Sequence, residues 1–283
     1  MKYVFIGLLS AFLFGLSTPL SKMIVGSVDP LPLASLYYLA SAFILLPFSF
    51  KHLKKEWFQF IQYRRDIFLL SGSFVLGGMI APISLLYGIR LTSATSASLL
   101  LNLETVATAI LAYFFFKEQL TKKDWLGALG IVAAGCLLVF EKGWILNRGS
   151  LFIVFSCICW GMDNNCTANI RTLSPVSNAF LKGSIAGIFN FILSIITTSS
   201  WPRTSSDLLG ILLIGMFSFG VSIALYIICA RKIGAFHSQI LFATSPFWGV
   251  GFSLLLLKEP FIFQQALASI LCISSLLLIF KRF

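Results

Sequence analysis

The chain has 283 residues, of which 58% are hydrophobic and only 11% are charged. With a mean hydropathy of +0.94, it has far too little polar surface to cover a soluble globule of this size. The net charge of +11 does not point to nucleic acid, because basic residues beside membrane spans face anionic lipid. We therefore expect an all-α polytopic membrane protein whose partners include membrane lipid and exclude nucleic acid.

Apolar stretches near the length of a membrane-crossing helix, about 20 residues, follow one another along the chain. They predict ten transmembrane helices, with the fifth the shortest and the hardest to delimit. The predicted spans are 3–25, 32–50, 67–89, 93–116, 125–140, 150–170, 176–198, 207–230, 236–257 and 261–280.

The segment 51–65 lies between the second and third spans. It places apolar side chains such as Trp57 and Ile61 at helical spacing among basic ones such as Lys54 and Arg65. This pattern is typical of a short amphipathic helix on the membrane surface, where it anchors the protein.

The basic residues orient these spans. If the N-terminus is cytoplasmic, six of them fall outside, Lys182 lies within a span, and the rest fall inside. By the positive-inside rule, both termini are then cytoplasmic, and we expect the inner membrane of a bacterium. The inside residues are Lys2, Lys51, Lys54, Lys55, Arg64, Arg65, Lys117, Lys122, Lys123, Arg171, Arg231, Lys232, Lys281 and Arg282.

The chain also carries an internal repeat. An apolar run ends in Lys117-Glu118, a second ends in Lys258-Glu259, and another hydrophobic stretch follows each. About five spans separate the two points, so the second copy is inverted relative to the first, as in many secondary transporters. We expect a first five-helix repeat at 1–140, an external linker at 141–149 and an inverted repeat at 150–283.

Short motifs recur in the same order in both repeats, and together they resemble the EamA-type transporters of the drug/metabolite transporter superfamily. This resemblance implies two inverted five-helix bundles around a central cavity, and transport of small metabolites, often amino acids outward. The chain departs from the family at Tyr37 and Tyr38, where an arginine is common, and at Thr105, where a proline is common. The recurring motifs are Phe14-Gly15 and Trp160-Gly161, Asp29-Pro30 and Ser174-Pro175, and the two Lys-Glu pairs.

Ionisable residues inside predicted spans are the candidate functional groups, because each costs about 2.5–3.5 kcal/mol on insertion scales unless it has a partner or a purpose. Asp163 and Lys182 lie at similar depth on an antiparallel helix pair, so an ion pair is expected. Together with Asn164 they form a candidate binding site for a zwitterionic substrate, and Asp163 is also a candidate for proton coupling. The alternative is a structural pair, with Lys182 reaching to the cytoplasmic surface.

Glu104 lies near the middle of the fourth span, beside Asn102. No cation of the first repeat lies clearly at its depth, and desolvation favours the neutral carboxyl. Glu104 is therefore the main proton-coupling candidate, and Asn102 a candidate substrate ligand. The alternative is a neutral carboxyl that is hydrogen-bonded to a neighbouring helix.

Trp160, Tyr87, Phe14 and Trp248 are candidates for apolar walls of the cavity. The six cysteines fall within predicted spans and form no disulfide framework, and no residue pattern indicates a metal or a cofactor.

The sequence contains no phosphate-binding glycine loop for ATP, so gradients must drive transport. We expect a secondary transporter, not an enzyme, that exports amino acids or similar small polar metabolites by alternating access. The first alternative is an importer or exchanger of a larger metabolite such as a nucleotide derivative; a non-transporting scaffold is the second. The sequence leaves the coupling ion, the direction and the oligomeric state, monomer or homodimer, open.

Overall fold

The structure is a computed structural model that describes residues 2–117, 119–139, 147–197 and 200–280. Glu118, the terminal basic pair at 281–282 and most of the predicted linker, 141–146, lie outside these residues. The described chain is helical throughout and contains no strand.

Helical stretches α1–α10 follow the predicted spans in order, and several are built from consecutive sections. α1 comprises Lys2–Gly15 and Ser17–Ile24, α2 is Pro30–Gln62, and α3 comprises Arg64–Gly72, a π-helix Ser73–Ile80 and Ala81–Leu91; α4 comprises Ala94–Leu100 and Leu103–Phe116, and α5 is Lys122–Val139. α6 is Arg148–Asn169, α7 is Pro175–Ile196, and α8 comprises Ser205–Leu213, a π-helix Ile214–Val221 and Ser222–Ile233; α9 comprises Ala235–Phe242 and Ser245–Leu256, and α10 is Phe263–Phe280.

Seven stretches have the length and apolar composition of a membrane crossing: α1, α2, α3, α4, α7, α8 and α9. α10 contributes a shorter apolar helix, Phe263–Leu278. In α6 the polar run from Asp163 to Asn165 lowers the hydropathy, and α5 opens with charged residues. The chain is therefore a helical, multi-pass membrane protein.

The segment after Phe50 differs from the prediction. It forms no separate surface helix but continues α2, which runs for 33 residues and ends at Tyr63. Trp57, Phe58 and Ile61 remain exposed on this extension. The helix continues through this segment without a break, and Pro47 is accommodated within it.

The surface of the molecule is apolar and much of its interior is polar, as lipid surroundings require. Large side chains such as Phe43, Phe68 and Phe263 are exposed, whereas Asp163, Lys182 and many serines are buried. Hydrogen-bonding side chains therefore join the helices alongside a large apolar core.

Small residues allow close packing between the two sets of helices, α1–α5 and α6–α10. α2 packs along α7, where Gly183 faces the Tyr38 carbonyl and Gly187 faces the Leu39 amide. These two glycines let α2 and α7 approach closely. Further contacts join α3 to α6 and α7, α8 to α1 and α2, α4 to α6 and α9, α1 to α9, and α5 to α10.

Carboxylates fasten the two sets of helices together at both ends. At one end Glu259 accepts hydrogen bonds from the Ala94 and Thr95 amides, each 2.8 Å, and so caps α4. At the same end Asp29 accepts a hydrogen bond from the Ser200 amide, which lowers its pKa, and its ion pair with Arg90 lowers the pKa further.

At the opposite end Asp66 accepts hydrogen bonds from the Arg171 and Thr172 amides, at 2.9 and 2.7 Å. Glu56 accepts another from the Ser174 amide, and Arg231 donates to the Leu173 carbonyl. The loop between α6 and α7 is thereby held against α2, α3 and α8.

Candidate functional site

A small cavity lies at the centre of the molecule, where α1, α4, α6, α7, α8 and α9 meet. Its volume is about 30 Å3, which holds a water molecule or two but no metabolite. The lining residues are Phe14, Glu104, Trp160, Asp163, Asn164, Thr167, Lys182, Ile223, Tyr226, Ile227 and Phe242.

The predicted ion pair of Asp163 with Lys182 is confirmed. Both residues are 3% exposed, and the antiparallel arrangement of α6 and α7 places them at the same depth. The other carboxylate oxygen of Asp163 accepts a 2.5 Å hydrogen bond from the Ser73 hydroxyl. Lys182 thus reaches into the interior, not towards a surface, and both charges are compensated as buried charges must be.

The π-helix of α3 forms the floor beneath this pair. Its Gly77 carbonyl accepts hydrogen bonds from the Tyr38 hydroxyl at 2.6 Å and from the Trp160 indole at 2.9 Å. A Cβ on Gly77 would lie 2.6 Å from the Cβ of Asp163, so only glycine lets Asp163 approach. π-helices are frequent at functional sites, and this one positions the carboxylate.

Glu104 belongs to a second polar network, one that joins α4 to α6 and α9. Its Oε1 accepts from the Asn164 amide at 2.7 Å and from the Gln239 amide at 3.3 Å. Asn164 also contacts Thr108 Oγ1 at 3.2 Å and Gln239 Oε1 at 3.1 Å. Side chains of both the network and the ion pair line the same cavity.

Aromatic rings close the remainder of the cavity. Phe14 packs edge-on against Trp160, with ring centroids 5.7 Å apart, and lies 5.0 Å from Phe242. Phe242 in turn contacts Tyr226 at 5.1 Å. Trp160 and Phe14 therefore occupy predicted wall positions, whereas Phe242 and Tyr226 were not among the sequence candidates. Trp248, the other predicted wall residue in this part of the chain, is 46% exposed and packs against Phe12.

Two of the sequence candidates, Tyr87 and Asn102, lie elsewhere, and so does Asn165, the neighbour of Asn164. Tyr87 is 40% exposed and packs against Phe152, because α3 turns this side chain away from the cavity. Asn102 is buried at the break in α4 and donates to the Leu99 carbonyl, one turn from the cavity. Asn165 points away from Asn164 and donates to the Thr108 and Gly161 carbonyls.

Sequence reasoning missed Gln239, Ser73 and Tyr38. Gln239 carried a signal, since an amide in an apolar span needs a partner, but its partners Glu104 and Asn164 lie on α4 and α6, far away in the sequence. Ser73 is one of many serines in the spans. Tyr38 stood out only as a departure from the family.

Comparison with known proteins identifies the family. The sequence profile of the EamA-like transporter family matches residues 1–140 and again residues 147–281. The chain belongs to the EamA-like transporter family. Members of this family are transporters and not enzymes, so the expectation of a transport protein is confirmed at that level.

Relatives agree with this assignment. An uncharacterized transporter of Methanothermobacter thermautotrophicus is 26% identical over 285 residues, covering 94% of this chain and 82% of its own. Protein LicB of Haemophilus influenzae is 27% identical over 68% of this chain and 67% of its own. An uncharacterized transporter of Clostridium kluyveri is 22% identical over 91% and 86%.

The fold is also found among solved crystal structures, one of which illustrates the match. That structure superposes with a TM-score of 0.75 at 14% sequence identity, and the match covers 98% of this chain and 96% of the other. At this identity the similarity concerns the fold alone.

Proposed function

We propose that the chain is a secondary active transporter that moves amino acids or similar small polar metabolites through the central cavity by alternating access. The observation that carries the proposal is the buried cluster of Asp163, Lys182, Glu104 and Asn164 around one cavity. Ionisable groups at this depth are costly and mark substrate or ion paths in membrane proteins. A site that holds both a carboxylate and an ammonium group suits a zwitterion, because each charged end of the substrate finds an opposite charge.

Alternating access requires two related halves, and several features support ten crossings in two inverted repeats. Lys117 and Lys258, 141 residues apart (258 − 117), both adopt the left-handed conformation at helix ends. The two π-helices begin at Ser73 and Ile214, again 141 residues apart (214 − 73). The repeats are residues 1–140 and 150–283, although α6 already starts at Arg148.

The helix contacts support the same symmetry. We exchange the helices of the two halves in order, α1 with α6, α2 with α7, and so on to α5 with α10. The contact of α3 with α6 then becomes that of α8 with α1, and the contact of α4 with α6 becomes that of α9 with α1. The contacts of α2 with α7, α4 with α9 and α5 with α10 map onto themselves. Every one of these pairs is in contact, as a two-fold axis in the membrane plane would require.

Rocking of the halves would open the cavity to one side and then the other. The carboxylate contacts of Glu259 and Asp29 at one end, and of Asp66 and Glu56 at the other, are the groups that must release in turn. The basic residues place both termini in the cytoplasm and hence the Glu259 end outside, in the inner membrane of a bacterial cell. Export is the proposed direction, and protons bound at Glu104 or Asp163 are the proposed driving ion.

Counterflow in proteoliposomes tests the proposal. Liposomes that contain the purified protein are loaded with a pool of unlabelled amino acids. Uptake of the labelled pool is then measured with and without an imposed pH gradient. We expect uptake above that of empty liposomes and a response to the gradient. Uptake equal to that of empty liposomes across the pool would contradict the amino-acid assignment.

A further inference from the structure

Gln239 connects the candidate proton site to the part of the cavity wall that α9 supplies. Its side chain is 1% exposed and bonds at both ends: the amide nitrogen donates to Glu104 and the amide oxygen accepts from Asn164. We propose that Gln239 is a positioning residue with two roles. It holds the ionised carboxylate of Glu104, and it transmits each change in the protonation state of Glu104 to α9. The inference rests on the proposed role of Glu104 as proton carrier.

The position of Gln239 on α9 gives this contact a mechanical consequence. The first section of α9 ends at Phe242, and the Ala243 amide donates to the Gln239 carbonyl at 2.8 Å just before the break. Phe242 lies three residues after Gln239, so both side chains share one face of the helix. A displacement of Gln239 therefore also displaces Phe242, which lines the cavity and contacts Phe14.

The protonation state of Glu104 decides how strongly this section is held. A hydrogen bond to an ionised carboxylate is roughly twice as strong as one between neutral groups. When Glu104 is ionised, the amides of Gln239 and Asn164 both draw on its Oε1 and hold α9 against α4. When Glu104 gains a proton the charge is lost, the hold weakens, and α9 is freed to move.

Other ionisable groups surround Glu104, and they set the background for any pH effect. The nearest are the Asp163–Lys182 pair from α6 and α7, Tyr38 from α2 and Cys157 from α6. His237 lies two residues before Gln239 on α9. The described parts of α5 and α10 contribute Lys122, Lys123, Asp124, Cys136 and Cys272.

Infrared spectroscopy tests the proposal without a known substrate. Difference spectra of the full chain in lipid are recorded as the pH is lowered, and the carboxylic-acid C=O band of Glu104 is identified by its loss in Glu104→Gln. In Gln239→Met the ionised form loses a donor, so we expect this band to appear at a pH about one unit higher. We also expect the accompanying change in the backbone amide bands to shrink, because α9 no longer follows Glu104.

A matched control separates this role from the loss of any buried amide. Gln265 is 3% exposed and donates to Ser93 and Ser96 at the far end of α4. Gln265→Met should leave both the Glu104 midpoint and the amide change at wild-type values. Gln239→Leu serves as a second variant should Gln239→Met fold poorly, with the same expected shift.

The outcomes distinguish this proposal from the one on which it rests. A Glu104 band that does not titrate in the wild type across the physiological pH range overturns Glu104 as the proton carrier, and the role of Gln239 with it. A titrating wild type whose midpoint and amide change are unaltered in Gln239→Met or Gln239→Leu overturns the role of Gln239 alone.

Discussion

Asp163 and Lys182 are two opposite charges that have been moved out of water together. Lys182→Met alone leaves a buried carboxylate uncompensated, which costs about 3–5 kcal/mol. Asp163→Asn combined with Lys182→Met removes both charges and leaves an amide that still reaches Ser73. We expect the double variant to be more thermostable than Lys182→Met but inactive in counterflow. Wild-type counterflow by a folded double variant would make the pair purely structural.

Gly77 is the residue that gives Asp163 its room. Gly77→Ala pushes a methyl group against the carboxylate side chain, and overpacking of this kind costs about 1–3 kcal/mol. Gly251 is the control, because a Cβ there meets nothing within 4 Å and alanine favours the helix. We expect the melting temperature of the purified protein to fall in Gly77→Ala and to hold or rise in Gly251→Ala. Equal melting temperatures would contradict this role of Gly77.

Carboxylates from distant parts of the sequence stabilise the ends of several helices. Glu259 caps α4 through both oxygens, so Glu259→Ala should cost about 1 kcal/mol, and Glu259→Gln, which keeps one acceptor, should cost less. Thermal unfolding in detergent measures this order. An unchanged melting temperature in Glu259→Ala would show that water satisfies the first amides of α4 equally well.

At this scale the sequence predicted the helices well and their interruptions poorly. Hydropathy gives the bounds of most of the described helices to within a few residues, because the membrane fixes the length of a span. The π-helices at Ser73 and Ile214 carry no comparable signal, since their apolar composition resembles that of any span. The extension of α2 past Phe50 was also missed, because amphipathic spacing does not tell a surface helix from a continued one.

Across the whole molecule, the sequence predicted three of the buried ionisable residues, Glu104, Asp163 and Lys182, but not Asp66 and Asp124, and it predicted only part of their environment. Asp163 and Lys182 lie on neighbouring helices, so depth alone paired them correctly. The partners of Glu104, Asn164 and Gln239, come from α6 and α9, and contacts at such sequence separation depend on the packing of all the helices. The predicted position of the Tyr87 side chain was wrong for a related reason, because neighbouring helices set the rotation of a helix about its own axis.

Inversion of the two halves has a direct test in Lys117 and Lys258, which occupy equivalent helix ends with the same backbone conformation. Each is replaced by cysteine in a chain whose native cysteines are changed to serine or alanine, and labelled in intact cells with a membrane-impermeant thiol reagent. We expect Lys258→Cys to be labelled from outside and Lys117→Cys only after the cells are opened. Labelling of both from the same side would contradict an odd number of crossings between them.

In the proposed mechanism a gradient drives transport through the buried site, and Glu104 carries the proton. The most direct measurement compares Glu104→Gln with wild type in proteoliposomes, recording pH-driven accumulation and exchange at equal pH side by side. Glutamine keeps an oxygen that can accept from Asn164 and Gln239 but cannot release a proton. We predict that accumulation is abolished while exchange persists; pH-driven accumulation that survives in Glu104→Gln would contradict the account.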